Sequence, residues 1–374
     1  MSWFLSYKIN LYFYTLMLLL FILINTFLVM DILLFFLIFE SSVIPLFLLI
    51  AIWGSRSRKI YASYLLLSYT LLGSVFLLII ILYLYINIGT TSYISFIYYN
   101  FFNNIQIIIF ISCFIGFGIK IPLIPFHIWL PEAHVESPTT GSVILAGLIL
   151  KLGLYAIIKF LFFLFNNIQK DVIYNIILIS YFGFLYATLV AYNQIDLKKI
   201  IAYSSVAHMN FSVLSLFSES IVGLIGLVYL MIGHAFTSSA LFTSIGVIYD
   251  RYKTRLICYF QSLIFLMPIL GIMFFIFIIS NFAFPATFNF VGELLILIGI
   301  INFNSFLLIL ILLPMVVTMI YSLFLYSRIF FGPFNIIFIR YFSDVIRLEA
   351  FILLIYSFFI IFGGLFPMLI IYYL

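Results

Sequence analysis

Eleven stretches of near-continuous apolar sequence leave this chain very few shapes to adopt. A bilayer is crossed by a helix of roughly 20 apolar residues. A segment in hydrocarbon must satisfy its own backbone N–H and C=O groups, so only helices or a closed barrel are open to it. The apolar runs are far longer than a barrel strand and lack strict apolar/polar alternation, which sets the barrel aside. The chain is therefore read as a single all-α polytopic membrane domain over 1–374, bathed in membrane lipids. Its spans fall at 11–30, 32–53, 60–86, 105–126, 142–165, 171–192, 197–217, 221–248, 262–301, 305–331 and 350–371. With 67% hydrophobic and 7% charged residues there is too little polar surface for a water-soluble domain.

Threading eleven spans assigns every loop to one of two sides, and the positive charges separate accordingly. Lys8, Arg56, Arg58, Lys59, Lys198, Lys199, Arg251, Lys253, Arg255, Arg328, Arg340 and Arg347 fall on one side, Lys159 and Lys170 on the other, and Lys120 and Lys151 stay within spans. Positive loops remain on the side of synthesis, cytosol or matrix. The N-terminus is then expected inside and the C-terminus outside. The net charge of +5 follows from this asymmetry and gives no reason to expect nucleic acid as a partner.

The segment Met1 to Phe13 is neither an Arg-rich amphipathic leader nor a short apolar core before a small-residue cleavage site, so the first span is expected to be retained. Cys113 and Cys258 lie without CxxC spacing and are expected to be small buried residues; they indicate neither an iron–sulfur cluster nor a disulfide. No GxGxxG follows a strand and no GxxxxGK[ST] is present, so no cofactor is expected in this chain and any redox chemistry must lie elsewhere.

Two spans read as broken. In Gly118-Ile119-Lys120-Ile121-Pro122-Leu123-Ile124-Pro125 the prolines lack N–H donors and clash with the preceding turn, so the helix must open just after Lys120. The run 262–301 is about twice the length one span needs, and Pro285 sits at its centre between polar residues, followed by Gly292-Glu293. Paired broken helices in two halves of a chain point to a transport site, the alternative being simple proline kinks that relieve packing. The halves are read as an inverted repeat, 11–165 and 171–331, with 350–371 as a C-terminal span.

Four charges lie at membrane depth: Glu40, Lys120, Lys151 and Glu293. Such residues are costly and by default mark an ion or proton route. Glu40 and Lys120 could satisfy one another as a pair, whose alternative reading is a static tie that fixes helix register. Lys151 shows no obvious partner in the sequence, and a lysine stripped of water can both accept and release a proton. His208 and His234 fall near the middles of their spans, and His127 and His134 lie in the connection after the first break; imidazole is a plausible proton carrier or a hydrogen-bonded core group. No HExxH spacing or cysteine ligand accompanies them, and no metal site is expected.

Three blocks of this sequence carry a family resemblance. Gly118-Ile119-Lys120-Ile121-Pro122 with His127-Ile128-Trp129-Leu130-Pro131-Glu132-Ala133-His134-Val135-Glu136-Ser137-Pro138 and Leu150-Lys151-Leu152-Gly153-Leu154-Tyr155 form the first. Asp196 to Met209 and Gly233 to Phe242 follow in order. They resemble the antiporter-like membrane subunits of proton-pumping NADH:ubiquinone oxidoreductase, respiratory complex I, over most of 30–331. The resemblance implies that Glu40 pairs with Lys120, that Lys151 is the central relay, that His208 and His234 lie on the axis beyond it, and that Glu293 leads to the far side. Glu293 stands where subunits 2 and 5 are expected to carry lysine, and a long C-terminal lateral helix, expected of subunit 5, is absent from the sequence. The family usually has fourteen spans, so the first three are expected to be missing, their surface supplied by another chain.

The resemblance further implies FMN, iron–sulfur clusters, NADH and ubiquinone in partner subunits, and other membrane-arm subunits as partners, especially antiporter-like subunits 2 and 5. An AT-rich, Phe-, Ile- and Tyr-rich composition fits an organellar gene, and the expected location is the mitochondrial inner membrane with basic loops toward the matrix. The alternatives are a cation/proton antiporter subunit of the same superfamily and a structural membrane-arm subunit that does not pump.

Overall fold

The computed structural model describes residues 7–98, 103–162, 170–218, 220–333 and 343–372. Among them no β-strand is present; only two isolated bridges, Asp31 with Ser92 and Asp196 with Leu256, interrupt an all-helical chain. Helices are what the apolar runs demand. The chain divides between Ile179 and Ser180 into two compact units.

The first unit holds α1 (Ile9–Leu28), α2 (Ile32–Ser41), α3 (Val43–Trp53), α4 (Lys59–Ile88), α5 (Tyr93–Tyr98), α6 (Asn103–Lys120), α7 (Trp129–Glu136), α8 (Thr139–Ile144) and α9 (Leu150–Ala156). Helix α10 (Lys170–Asn193) begins in this unit and ends in the next. Helix α4 packs on α3, α6 and α7. Asp31 caps α2, accepting from Leu33 N at 3.0 Å and Thr91 Oγ1 at 2.9 Å. The helix expected over 142–165 is less regular than its sequence suggests: π turns occupy Leu145–Ile149 and Ile157–Phe162 on either side of α9. Its last expected residues lie outside the described ones, as do Arg340 and the side chain of Lys170.

The second unit holds α11 (Leu197–Leu216), α12 (Ile221–Tyr252), α13 (Pro268–Asn281), α14 (Phe288–Phe303), α15 (Ser305–Phe330), α16 (Arg347–Leu365) and α17 (Pro367–Ile371). Helix α11 carries Lys198, Lys199 and a run of serines, too polar to face lipid, and nearly all of it is buried within the unit. The closest packing is α12 on α14, and small residues allow it. A Cβ on Gly226 would lie 2.8 Å from Ile296 N, and one on Gly292 would lie 2.7 Å from Leu230 N. These backbones touch directly, which brings the helices carrying His234 and Glu293 side by side.

Among the described residues eight helical segments are long and apolar enough to span a membrane, and Ile105–Lys120, Pro268–Asn281 and Phe288–Phe303 are shorter apolar helices. With α11 these twelve segments correspond to the eleven expected spans, because α13 and α14 share the single run 262–301. Three expectations need correction. The run 262–301 opens with a short turn at Leu263–Phe265 and becomes helical only at Pro268, whose fixed φ suits a first helical turn. Lys159, expected to mark one membrane side, is buried instead: it is 8% exposed and donates to the Val29 carbonyl at 2.5 Å and to Tyr155 Oη at 3.0 Å. The cysteines are not deeply buried, Cys113 being intermediate and Cys258 exposed.

Candidate functional site

Helix α6 ends on Lys120, as the prolines require. Trp129 Nε1 donates to the Ile119 carbonyl at 2.9 Å, satisfying an acceptor that a continuing helix would have used. The lysine thus sits at a helix C-terminus, where the backbone dipole favours a cation. Its Nζ lies 3.0 Å from Glu40 Oε1, donates to the Phe39 carbonyl at 2.9 Å and stands 3.3 Å from the centre of the Phe39 ring. Glu40 comes from α2, which ends one residue later; α3 resumes at Val43 after a one-residue interruption at Ser42. The expected pair therefore forms, on two helices that both stop beside it. The roles of the Phe39 carbonyl and ring were missed in the sequence, although Phe39 directly precedes Glu40.

Lys151, 5% exposed, lies in α9 between the two π turns. In a regular helix the Ala146 carbonyl would accept the Leu150 N–H. Within the π turn the Leu150 N–H reaches the Leu145 carbonyl instead. Lys151 Nζ donates to the Ala146 oxygen that is left over. The sequence showed no partner for this lysine; the widened turn supplies one from the backbone.

In the second unit the chain opens between Asn281 and Phe288. Ala283 (φ 56) and Ala286 (φ 70) adopt left-handed backbone there, at a cost of about 1–2 kcal/mol each for a residue with a Cβ. Thr287 Oγ1 donates to the Phe284 carbonyl at 2.6 Å and closes the turn. Glu293 follows in the second turn of α14. His208 Nδ1 of α11 lies 3.5 Å from Glu293 Oε1, and the rings of His208 and His234 are 5.2 Å apart between centroids. Exposure is 1% for His208, 0% for His234 and 7% for Glu293. Three buried titratable side chains from three helices thus lie together. His127 and His134, also buried, flank the first break, His134 within α7. Among the described residues no group of three or more His, Cys, Asp or Glu could hold a metal ion.

Each unit, then, sets a buried ionisable group beside a helix discontinuity, and each group has a second partner within reach.

The sequence signature of the membrane family described as NADH:quinone oxidoreductase/Mrp antiporter matches residues 29–320. NADH-ubiquinone oxidoreductase chain 4 of Chondrus crispus is 45% identical over 347 residues, 93% of this chain and 70% of that protein. Chain 4 of Marchantia polymorpha is 45% identical over 345 residues, 92% and 70% respectively. A chain in the structure of respiratory complex I from Thermus thermophilus with bound NADH superposes with a TM-score of 0.89 at 25% identity, covering 95% of this chain and 76% of that one. A chain of the Mrp complex from Dietzia sp. DQ12-45-1b shares the fold, with a TM-score of 0.86 at 19% identity over 94% of this chain and 74% of that one.

Proposed function

Because this chain belongs to the membrane family shared by NADH:quinone oxidoreductases and Mrp antiporters, we propose that it is a proton-translocating membrane-arm subunit of respiratory NADH:ubiquinone oxidoreductase, the counterpart of chain 4. It is a multi-pass membrane protein, and its place in this reading is the mitochondrial inner membrane with the basic loops toward the matrix. Its partners are the other membrane-arm subunits, chains 2 and 5 foremost. FMN, the iron–sulfur clusters, NADH and ubiquinone belong to other subunits of that enzyme, and this chain converts their distant chemistry into proton movement.

The observation that carries the reading is the Glu40–Lys120 pair at a helix end, a buried lysine and a half-buried glutamate 3.0 Å apart. In low dielectric a change in that pair alters the electrostatic cost of a proton elsewhere in the route. When Lys120 is drawn to Glu40, Lys151 holds its proton; when Lys120 withdraws, repulsion between like charges drives the proton on. His234, His208 and Glu293 receive it in turn, and the approach of His208 to Glu293 at 3.5 Å supports that last transfer.

Lys151 provides the test. Lys151→Ala removes the acceptor, and Lys151→Arg keeps a charge that guanidinium does not release. Both variants are expected to abolish proton pumping per NADH oxidised in reconstituted vesicles, with assembly checked separately. An assembled Lys151→Arg complex that pumps normally would exclude Lys151 from the relay. Transport by the isolated chain without NADH oxidation would instead favour an antiporter.

A further inference from the structure

Helix α16 lies across α12, α13 and α14, and both of its ends are fixed by specific contacts. At its start, Glu349 receives Arg251 through two prongs, Nη2 to Oε2 at 2.7 Å and Nη1 to Oε1 at 3.3 Å. Arg251 also donates to the carbonyls of Ser343 at 3.0 Å, Asp344 at 3.1 Å and Val247 at 3.0 Å. The Asp344 carboxylate accepts from Ile269 N at 2.9 Å, which ties the first turn of α13 to the same knot. Helices α12, α13 and α16 are therefore joined at this end.

The far end of α16 reaches the discontinuity itself. Gly363 and Gly364 seat against Phe288 and against the Ala286–Thr287 backbone so closely that a Cβ on either would overlap them. Tyr229 of α12 donates to the Gly363 carbonyl, and its ring lies 4.4 Å from that of Phe288. Phe236 of α12 stacks on Phe359 at 5.1 Å. The left-handed residues Ala283 and Ala286 are the kind of backbone that persists only where its surroundings hold it, and Gly364 of α16 lies directly against the Ala286 carbonyl.

We propose that α16 is a splint for the α13–α14 break, and that Arg251, Glu349 and Gly364 are positioning residues for Glu293. From Glu349 to Gly364 the splint is about 22 Å long at 1.5 Å per residue. Tension at the Arg251–Glu349 knot is thereby transmitted to the turn that aims Glu293 at His208. The role assigned to Glu293 rests on the proton-translocation reading, whereas the mechanical link does not.

Hydrogen–deuterium exchange on the assembled complex separates the two. Glu349→Gln removes one charge of the knot, and the backbone amides of 282–284, 286 and 287 are expected to exchange about tenfold faster, although the knot lies at the opposite end of α16 from the glycines that touch this turn. Arg251→Lys, which keeps the charge and loses the fork, gives the same readout at smaller amplitude if Glu349→Gln does not assemble. Gly364→Ala acts from the other end and is expected to lower protons pumped per NADH while NADH oxidation in uncoupled vesicles continues. Unchanged exchange at 282–287 in the knot variants would overturn the splint, whereas full pumping by an assembled Gly364→Ala complex would count against the role of Glu293. Faster exchange with unaltered pumping would leave the splint standing and count against the role of Glu293.

Discussion

Replacing Glu40 by glutamine tests whether the charge of the Glu40–Lys120 pair, rather than its shape, serves proton movement. Glutamine keeps the volume and an acceptor oxygen and removes only the anion. At 3.0 Å and an effective dielectric near 20, the lost attraction is on the order of 5 kcal/mol. Lys120 keeps its other seats, each of which can be weighed. A hydrogen bond from a charged donor to the Phe39 carbonyl contributes about 1.5–3 kcal/mol, a desolvated cation over the Phe39 ring about 2 kcal/mol, and the helix terminus about 0.3–1 kcal/mol. Together these rival the ion pair. Glu40→Gln should therefore leave Lys120 in place and the complex assembled. What disappears is the contest between two seats, and with it the alternation. Lys120→Met differs, because it leaves a largely buried carboxylate without its cation, a loss of about 3–5 kcal/mol that should reduce assembly. The assay is protons pumped per NADH in reconstituted vesicles, beside uncoupled NADH oxidation and the yield of assembled complex. Full pumping stoichiometry in an assembled Glu40→Gln enzyme would refute the reasoning, as would a greater loss of assembly from Glu40→Gln than from Lys120→Met.

Two further predictions concern packing and topology. Gly292→Ala places a Cβ against the backbone at Leu230, and the overpacking should lower thermal stability of the assembled complex by about 1–3 kcal/mol and impair pumping through the displaced Glu293; unaltered stability would mean that the α12–α14 contact yields freely. Cys258 is exposed and should label from the same face of sealed vesicles as Ser57→Cys, while Ser95→Cys, made in a Cys258→Ser background, should label only from the opposite face. Labelling of positions 57 and 95 from one side would break the topology.

The sequence disclosed the discontinuities because proline announces itself: Pro122, Pro125 and Pro285 each deny the backbone a donor, and the helices stop where that denial predicts. It disclosed the depth of Glu40, Lys120, Lys151 and Glu293 because a charge in an apolar run stands out. Other features left no comparable trace. The π turns around Lys151 consist of ordinary apolar residues and are set by packing, so no periodicity in Leu145–Ile149 or Ile157–Phe162 reveals them. In the sequence Lys159 groups with the charges that mark a membrane side; its burial depends on meeting the Val29 carbonyl at the end of α1, a contact 130 residues distant. The approach of His208 to Glu293 depends on how α11 and α14 are juxtaposed, and the spacing of two residues on different helices does not encode that. Arg251 stands in the last turn of α12, and its pairing with Glu349 required the third dimension.

The widened turn before Lys151 makes chain length a variable distinct from chemistry. A π turn accommodates one residue more than a regular turn while the flanking helix keeps its facing on both sides. Deleting a single residue within 145–149 would close the helix into a uniform one, and Lys151 would still face the same neighbours. The Ala146 carbonyl, however, would be claimed by a backbone N–H, leaving the ammonium without its acceptor. A one-residue deletion that alters no ionisable group should thus resemble the loss of Lys151 itself. Two genes encoding the same charges at the same depths could differ in function by this one codon.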